Sequence, residues 1–272
     1  MQQHQIEKIK VNKFLMTPEK ASELLNKNTR NRKASKLAVS LYYTDMLHDN
    51  FNLNGSTICV AENGVLIDGQ QRLMACERAK KPFWTILVED LPEEAILSID
   101  SGKKRTYADR LKIRGYDNAG PLAHTVKMVA LIANKTAKDN GYTVHQLDTV
   151  LAANPDLIES VCFCRKTYYK ADALLGAIHY IASKTGYADQ GNEFIRTWRD
   201  GQMNYPNDPV VYIREKLNNN ERHKDKMTTT TRMKYIMLSW HKFKNSSEMN
   251  KAYLPSDGFY MDDWDTRNCR PK

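Results

Sequence analysis

The sequence predicts an α+β fold followed by an all-helical part, and three observations carry that expectation. The run Val65-Leu66-Ile67 stops at Asp68-Gly69 and gives way to Leu73, Cys76 and Ala79 at helical spacing, the pattern of a strand, a glycine turn and a helix. Strand-like and helical segments alternate up to about residue 115. From about residue 116 onward only helical periodicity remains, punctuated by Gly, Pro and Asn. The expected domains are therefore residues 6–115, α+β, and residues 116–272, α-helical, with a polar loop or linker at about 218–231.

In chain order, Ile6, Ile9, Val11, Phe14 and Leu15 read as a short strand or two over 6–16. Thr17-Pro18-Glu19 is a helix start, with Thr as N-cap, Pro at the first helical position and an acid in the first turn; the helix runs to about Asn26. A basic loop, Asn28-Thr29-Arg30-Asn31-Arg32, leads into a second helix from about Ser35 to His48. Phe51 to Val60 is strand-like, and Asn63-Gly64 is a hairpin turn into Val65. The helix after Gly69 ends near Lys80-Lys81-Pro82, and Phe83 to Glu89, rich in aromatic and β-branched residues, is a strand. Leu91-Pro92-Glu93-Glu94 opens a short helix that Ile99-Asp100-Ser101-Gly102 closes, and Thr106 to about Ile113 is a basic amphipathic helix stopped by Gly115. Further helices are expected at 121–133, 145–153, 156–166, 171–184, 191–200, 209–217 and about 232–244.

Hydrophobic residues make up 41% of the chain and charged residues 27%, an ordinary balance for a soluble globular protein. No apolar run approaches the roughly 18 residues of a membrane span. The polar start Met1-Gln2-Gln3-His4-Gln5 lacks the apolar core of a signal peptide, and five cysteines without a repeated framework suit a reducing compartment. The expectation is a cytoplasmic protein with no membrane partner. A net charge of +9 points to an acidic partner, of which nucleic acid is the commonest. The charge is concentrated: Lys27, Arg30, Arg32, Lys33 and Lys36 stand together without an acid, and Lys103, Lys104, Arg105, Arg110, Lys112 and Arg114 face only Asp109.

The Asp68 turn is the candidate site. A helix start presents unpaired N–H groups and the positive end of the dipole, here at Gln70 and Gln71, and Gly69 lets a ligand approach the backbone. Arg72 can fork onto a phosphate. Asp68 is the odd member, because a carboxylate beside a phosphate repels it unless a metal or a reacting hydroxyl lies between. The plain reading of Asp68 is a helix N-cap. Arg30, Arg32, Lys103, Lys104 and Arg105 are the residues expected to track a nucleic-acid or nucleotide backbone. Asp100 could join Asp68, although aspartates in turns are usually local hydrogen-bonders.

The order helix, basic Asn-Arg loop, helix, strand, hairpin, Asp-Gly turn, helix, strand resembles the N-terminal domain of the ParB/sulfiredoxin superfamily. Its Gly-x-x-Arg turn is matched by Gly69-Gln70-Gln71-Arg72, and its upstream basic box by Asn28-x-Arg30. With Ile99-Asp100-Ser101-Gly102-x-x-Arg105 downstream, the chain is most similar to ParB-like proteins of phages and mobile elements, over about residues 6–115. The resemblance implies a DNA-associated protein of the (host) cytoplasm. It would bind a nucleoside triphosphate, ATP or CTP, or a nucleic-acid phosphate at Asp68-Gly69-x-x-Arg72, with Mg²⁺ at Asp68. It also implies phosphoryl-transfer, NTPase or nuclease chemistry with Asp68 and Arg72 as catalytic residues, and a homo-oligomer through the helical tail. A kinase acting on a small molecule or DNA base, and a non-catalytic DNA-binding or regulatory module, stay open. The reductase branch has a cysteine inside the turn where this chain has Gln70 and Gln71, which argues against its chemistry.

Other motifs add little. There is no Gly-x-x-x-x-Gly-Lys-Ser/Thr loop, and Cys162-Phe163-Cys164 lacks the second ligand pair a zinc site needs. Tyr168, Tyr169, His179, Tyr180, Trp198 and Tyr205 could stack bases, but at helical spacing such residues are expected in the core.

Overall fold

A computed structural model describes residues 7–29, 31, 33–97, 99, 105–134, 141–165, 172–222, 227–256 and 266–270. The chain is mixed α+β and divides into two compact units. The first comprises residues 1–104 together with 140–145, and the second comprises 105–139 with 146–272.

The first unit runs β1 (Lys10–Met16), α1 (Pro18–Asn26), α2 (Lys36–Leu47), β2 (Thr57–Ala61), β3 (Leu66–Asp68), α3 (Gln70–Ala79), β4 (Phe83–Leu91) and a 3₁₀ turn, Glu93–Leu97. Thr17 caps α1 as its sequence demands, accepting from Lys20 N, and Ser35 caps α2 through Ala38 N. The four strands form one mixed sheet in the order β1-β4-β2-β3: β1 and β3 pair antiparallel with their neighbours, while β2 and β4 run parallel. Strand alternation splits the side chains between two faces. Ile58, Val60, Leu66, Phe83 and Leu87 point to a core shared with Ala21 and Leu24 of α1, Val39 and Met46 of α2, and Leu73, Ala75 and Cys76 of α3. On the opposite face Cys59, Ala61 and Ile67 are covered by Val88, Leu91, Ala95, Ile96 and Ile99.

The strand expected from Phe51 starts only at Thr57. Asn52, Asn54 and Gly55 hold the preceding stretch in turns: Ser56 N donates to Asn54 Oδ1 at 3.1 Å, and Gly55 has φ +79°.

Among the described residues the second unit is helical: α4 (Tyr107–Ile113), α5 (Ala119–Ala133), α6 (Val144–Ala153, whose first two residues group with the first unit), α7 (Leu157–Cys164), α8 (Asp172–Lys184), α9 (Ala188–Asp200), α10 (Pro209–Arg222), α11 (Thr229–Lys244) and a 3₁₀ turn, Arg267–Cys269. Its core includes the edge-to-face rings of Phe194 and Trp240, with Trp198 fully buried. Tyr180 is also buried, so the expected aromatic stripe is core at these positions; Tyr168 and Tyr169 lie outside the described residues. His179 bridges helices, with Nδ1 at 3.0 Å from Ser160 Oγ and Nε2 at 3.0 Å from Asn192 Oδ1. Within the span expected as a polar loop, 218–231, the described residues 218–222 and 229–231 are helical, and 223–226 lie outside the described residues. Asn218 to Arg222 extend α10, and Thr228 caps α11 by accepting from Thr231 N at 3.1 Å. Burial of Val210, Val211, Ile213 and Leu217 holds α10 together against the weak helix propensity of its asparagines.

Candidate phosphate-binding site

The site is built where β3 hands over to α3. Between the paired positions Val60↔Leu66 and Cys59↔Asp68, β3 carries one residue more than β2, a bulge at Ile67 that sets Asp68 opposite Cys59. Gly69 then makes the turn with φ +106° and ψ 0°, and a Cβ there would stand 2.3 Å from the Cδ1 of fully buried Ile58. Glycine meets the backbone angle, and a Cβ there would force the end of the Ile58 side chain to move.

Gly69, not Asp68, is the N-cap of α3, and no side chain caps the helix. Arg72 N and Leu73 N both reach Gly69 O at 3.0 Å, while the N–H groups of Gln70 and Gln71 have no hydrogen-bond partner among the described residues. Two donors and the positive end of α3 therefore face a cavity of about 870 Å³. Asp68, freed from capping, takes a different partner one helical turn on: Arg72 Nη2 donates to Asp68 Oδ2 at 2.9 Å. Arg72 is only 9% exposed, and its Nη1 is buried with no hydrogen-bond partner. A buried guanidinium nitrogen without an acceptor is costly unless a ligand supplies one.

Asn31 closes one wall. Its Nδ2 donates to Leu66 O and to Asn28 Oδ1, both at 2.7 Å, which fastens the Asn28–Asn31 loop to β3. Asn31, Tyr42, Ser56 and Thr57 line the cavity on its polar side, and Ile67, Ile96, Leu97 and Ile99 form an apolar ledge, with Leu97 86% exposed. Cys59 lies behind Asp68, its Sγ 3.2 Å from Thr57 Oγ1. Burial pushes its thiol up, against the lowering effect of the Thr57 hydrogen bond and with a smaller raising effect of the Asp68 carboxylate, so this sulfur is a poor nucleophile.

Of the residues expected from sequence, Asp68, Gly69, Gln70, Gln71 and Arg72 converge on this cavity. Arg30, Arg32, Lys103, Lys104 and Asp100 lie outside the described residues. Arg105 is exposed and belongs to the second unit. Sequence reasoning passed over Asn31, although it stands between the two flagged arginines, and gave the Ile96–Ile99 ledge no role.

Among the described residues no three His, Cys, Asp or Glu side chains gather into a metal-binding group, and the one carboxylate in the cavity lining sits 2.9 Å from a guanidinium nitrogen. Compared with known proteins, the chain matches no protein-family model, no curated protein and no solved structure.

Proposed function

We propose that the β3–α3 corner binds the phosphate of a nucleotide or nucleic acid, and that the chain is a DNA-associated, ParB-like protein in which this corner is the ligand site. The observation that carries the reading is Arg72, a cavity-lining residue whose buried Nη1 has no hydrogen-bond acceptor, beside the two unbonded N–H groups of Gln70 and Gln71. Phosphate oxygens accept from the two N–H groups and, once the Arg72 side chain turns toward the cavity, from its guanidinium, which gives a planar contact that a lysine cannot. The uncapped start of α3 adds a partial positive charge, and Gly69 leaves room for oxygen atoms close to the backbone.

Binding is better supported than bond-breaking. Asp68 is engaged with Arg72, which suits holding and releasing an arginine more than coordinating a cation. Mg²⁺ would then arrive with a triphosphate rather than reside on the protein. The non-catalytic module is accordingly the favoured form of the reading. The order of elements over residues 6–115 and the Gly69-Gln70-Gln71-Arg72 turn are what tie it to ParB-like proteins. The net charge of +9 supports DNA as the macromolecular partner, through surfaces other than the corner.

Calorimetric titration with tripolyphosphate, ATP and CTP, with and without Mg²⁺, tests the assignment. Wild type should bind, Arg72→Gln should lose at least about tenfold in affinity, and Arg72→Lys should fall between them. Thermal melts of both variants control for folding. Equal affinities for wild type and a folded Arg72→Gln protein would reject the corner as the phosphate site.

A further inference from the structure

At the edge of the sheet away from the corner, β1 has a neighbour on one side only. In the order β1-β4-β2-β3 it pairs with β4 over all seven residues from Lys10 to Met16. Apart from that pairing, no backbone group of residues 10–15 has a hydrogen-bond partner among the described residues. The alternate N–H and C=O groups that point away from β4 therefore form an unpaired row, a template for one more strand.

The side chains along that row are of two kinds. Val11, Lys13 and Leu15 share the sheet face opposite the main core with their β4 partners Val88, Ile86 and Trp84. The segment that covers this face packs on Val88 but leaves Val11, Leu15 and Trp84 at 62%, 40% and 47% exposed. Between the two apolar side chains of β1 stands a cation. Lys13 Nζ lies 4.6 Å from the centre of the Trp84 ring and has no carboxylate partner among the described residues, whereas Lys10 is paired with Asp90 at 2.9 Å. Lys13 and Trp84 also line a notch of about 310 Å³ together with Phe51, Leu53, Pro82 and Phe83, so apolar surface continues beyond the strand.

We infer that β1 takes up an extended segment of another protein as a fifth strand, and that this segment carries an acidic residue with apolar residues two positions to either side. Its backbone completes the unpaired row, its apolar side chains meet Val11 and Leu15, and its carboxylate meets Lys13. Charge decides against a second copy of this chain as the occupant. The antiparallel pairing that sets Val11 of each copy against Leu15 of the other also sets the two Lys13 side chains directly opposite each other, which repels. The inference is independent of the phosphate reading, because β1 and β3 are opposite edges of the sheet.

The test is an amide NMR titration of the ¹⁵N-labelled full chain with the capped peptide Thr-Val-Thr-Glu-Thr-Val-Thr and with the same peptide carrying Lys in place of Glu. The Glu peptide should give saturable shifts centred on residues 10–15 and bind about fivefold or more tightly than the Lys peptide, through one attractive and one repulsive cross-strand pair. Lys13→Glu, a change at an exposed position, should reverse the preference, with thermal melts confirming the fold. Wild type that binds neither peptide, or binds both within twofold, overturns the inference, as do shifts that spare residues 10–15. A folded Lys13→Glu protein that still prefers the Glu peptide overturns it as well. Sedimentation of the wild-type chain alone covers the remaining occupant: Val11→Lys should leave the profile unchanged, and a wild-type dimer that this substitution dissociates would give the edge to a second copy and reject the acidic partner.

Discussion

Gly69 shows how one residue decides whether the corner exists. Its φ of +106° is a conformation that L side chains rarely adopt, and the hypothetical Cβ overlaps a core isoleucine that is 0% exposed. Gly69→Ala should therefore destabilise the first unit by roughly 2–4 kcal/mol, the sum of backbone strain and overpacking. Chemical denaturation measures this, and unchanged stability would show that Ile58 yields more easily than its burial suggests. The turn itself was legible in the sequence, because an apolar run that ends in Asp-Gly before helical spacing leaves few other structures. The pairing of Asp68 was not legible. An aspartate before a helix is ordinarily a cap, and only the bulge at Ile67 together with Gly69 as N-cap turns its carboxylate toward Arg72. Asn31 was hidden for a similar reason, since its value lies in a hydrogen bond to Leu66 O, 35 residues away in the chain.

At the scale of elements, most helices could be read from their caps and periodicity, and the misses have identifiable causes. α10 runs into an asparagine-rich stretch because its buried valines, isoleucine and leucine outweigh local propensity, and the segment before β2 is irregular because its asparagines bond to the backbone. The pairing of α7, α8 and α9 around His179 could not be seen in sequence, where a lone histidine on a helix carries no mark of its partners. Burial lowers the His179 pKa from its usual 6.5, although the hydrogen bond to Asn192 works in the opposite direction. The unfolded chain then binds more protons than the folded one in mildly acidic solution, so stability rises with pH in this window. The contribution is intact above about pH 6.5 and is lost as pH falls from the unfolded value through the lowered folded one. His179→Gln should flatten the pH dependence of the melting temperature between pH 7 and about pH 5. A residual slope is expected from His241, which burial and the neighbouring Lys244 and Lys242 also lower. An unaltered slope in the variant would mean that His179 titrates freely in the folded state.

For the whole molecule, the formal charge of +9 is the property that composition states most plainly and that the fold locates least. The two basic segments that flank the Asp68 turn in sequence carry Arg30, Arg32, Lys103 and Lys104, which lie outside the described residues, and an exposed Arg105. If these residues contact a nucleic-acid backbone, DNA affinity should fall by at least about tenfold between roughly 50 and 200 mM salt. Charge reversal at Arg30 and Arg32 should reduce that salt slope. Affinity insensitive to salt would contradict backbone tracking. The same titration separates the DNA-contacting surface from the corner, because Arg72→Gln, buried and facing the cavity, should leave the salt slope for DNA in place.

The most direct measurement is amide NMR of the ¹⁵N-labelled chain titrated with tripolyphosphate. The account predicts that the N–H signals of Gln70 and Gln71 move first and furthest, that the Arg72 guanidinium signals shift with them, and that helix residues facing the core stay still. Saturable shifts confined to other parts of the chain, with Gln70, Gln71 and Arg72 unmoved, would place the phosphate elsewhere and contradict the assignment.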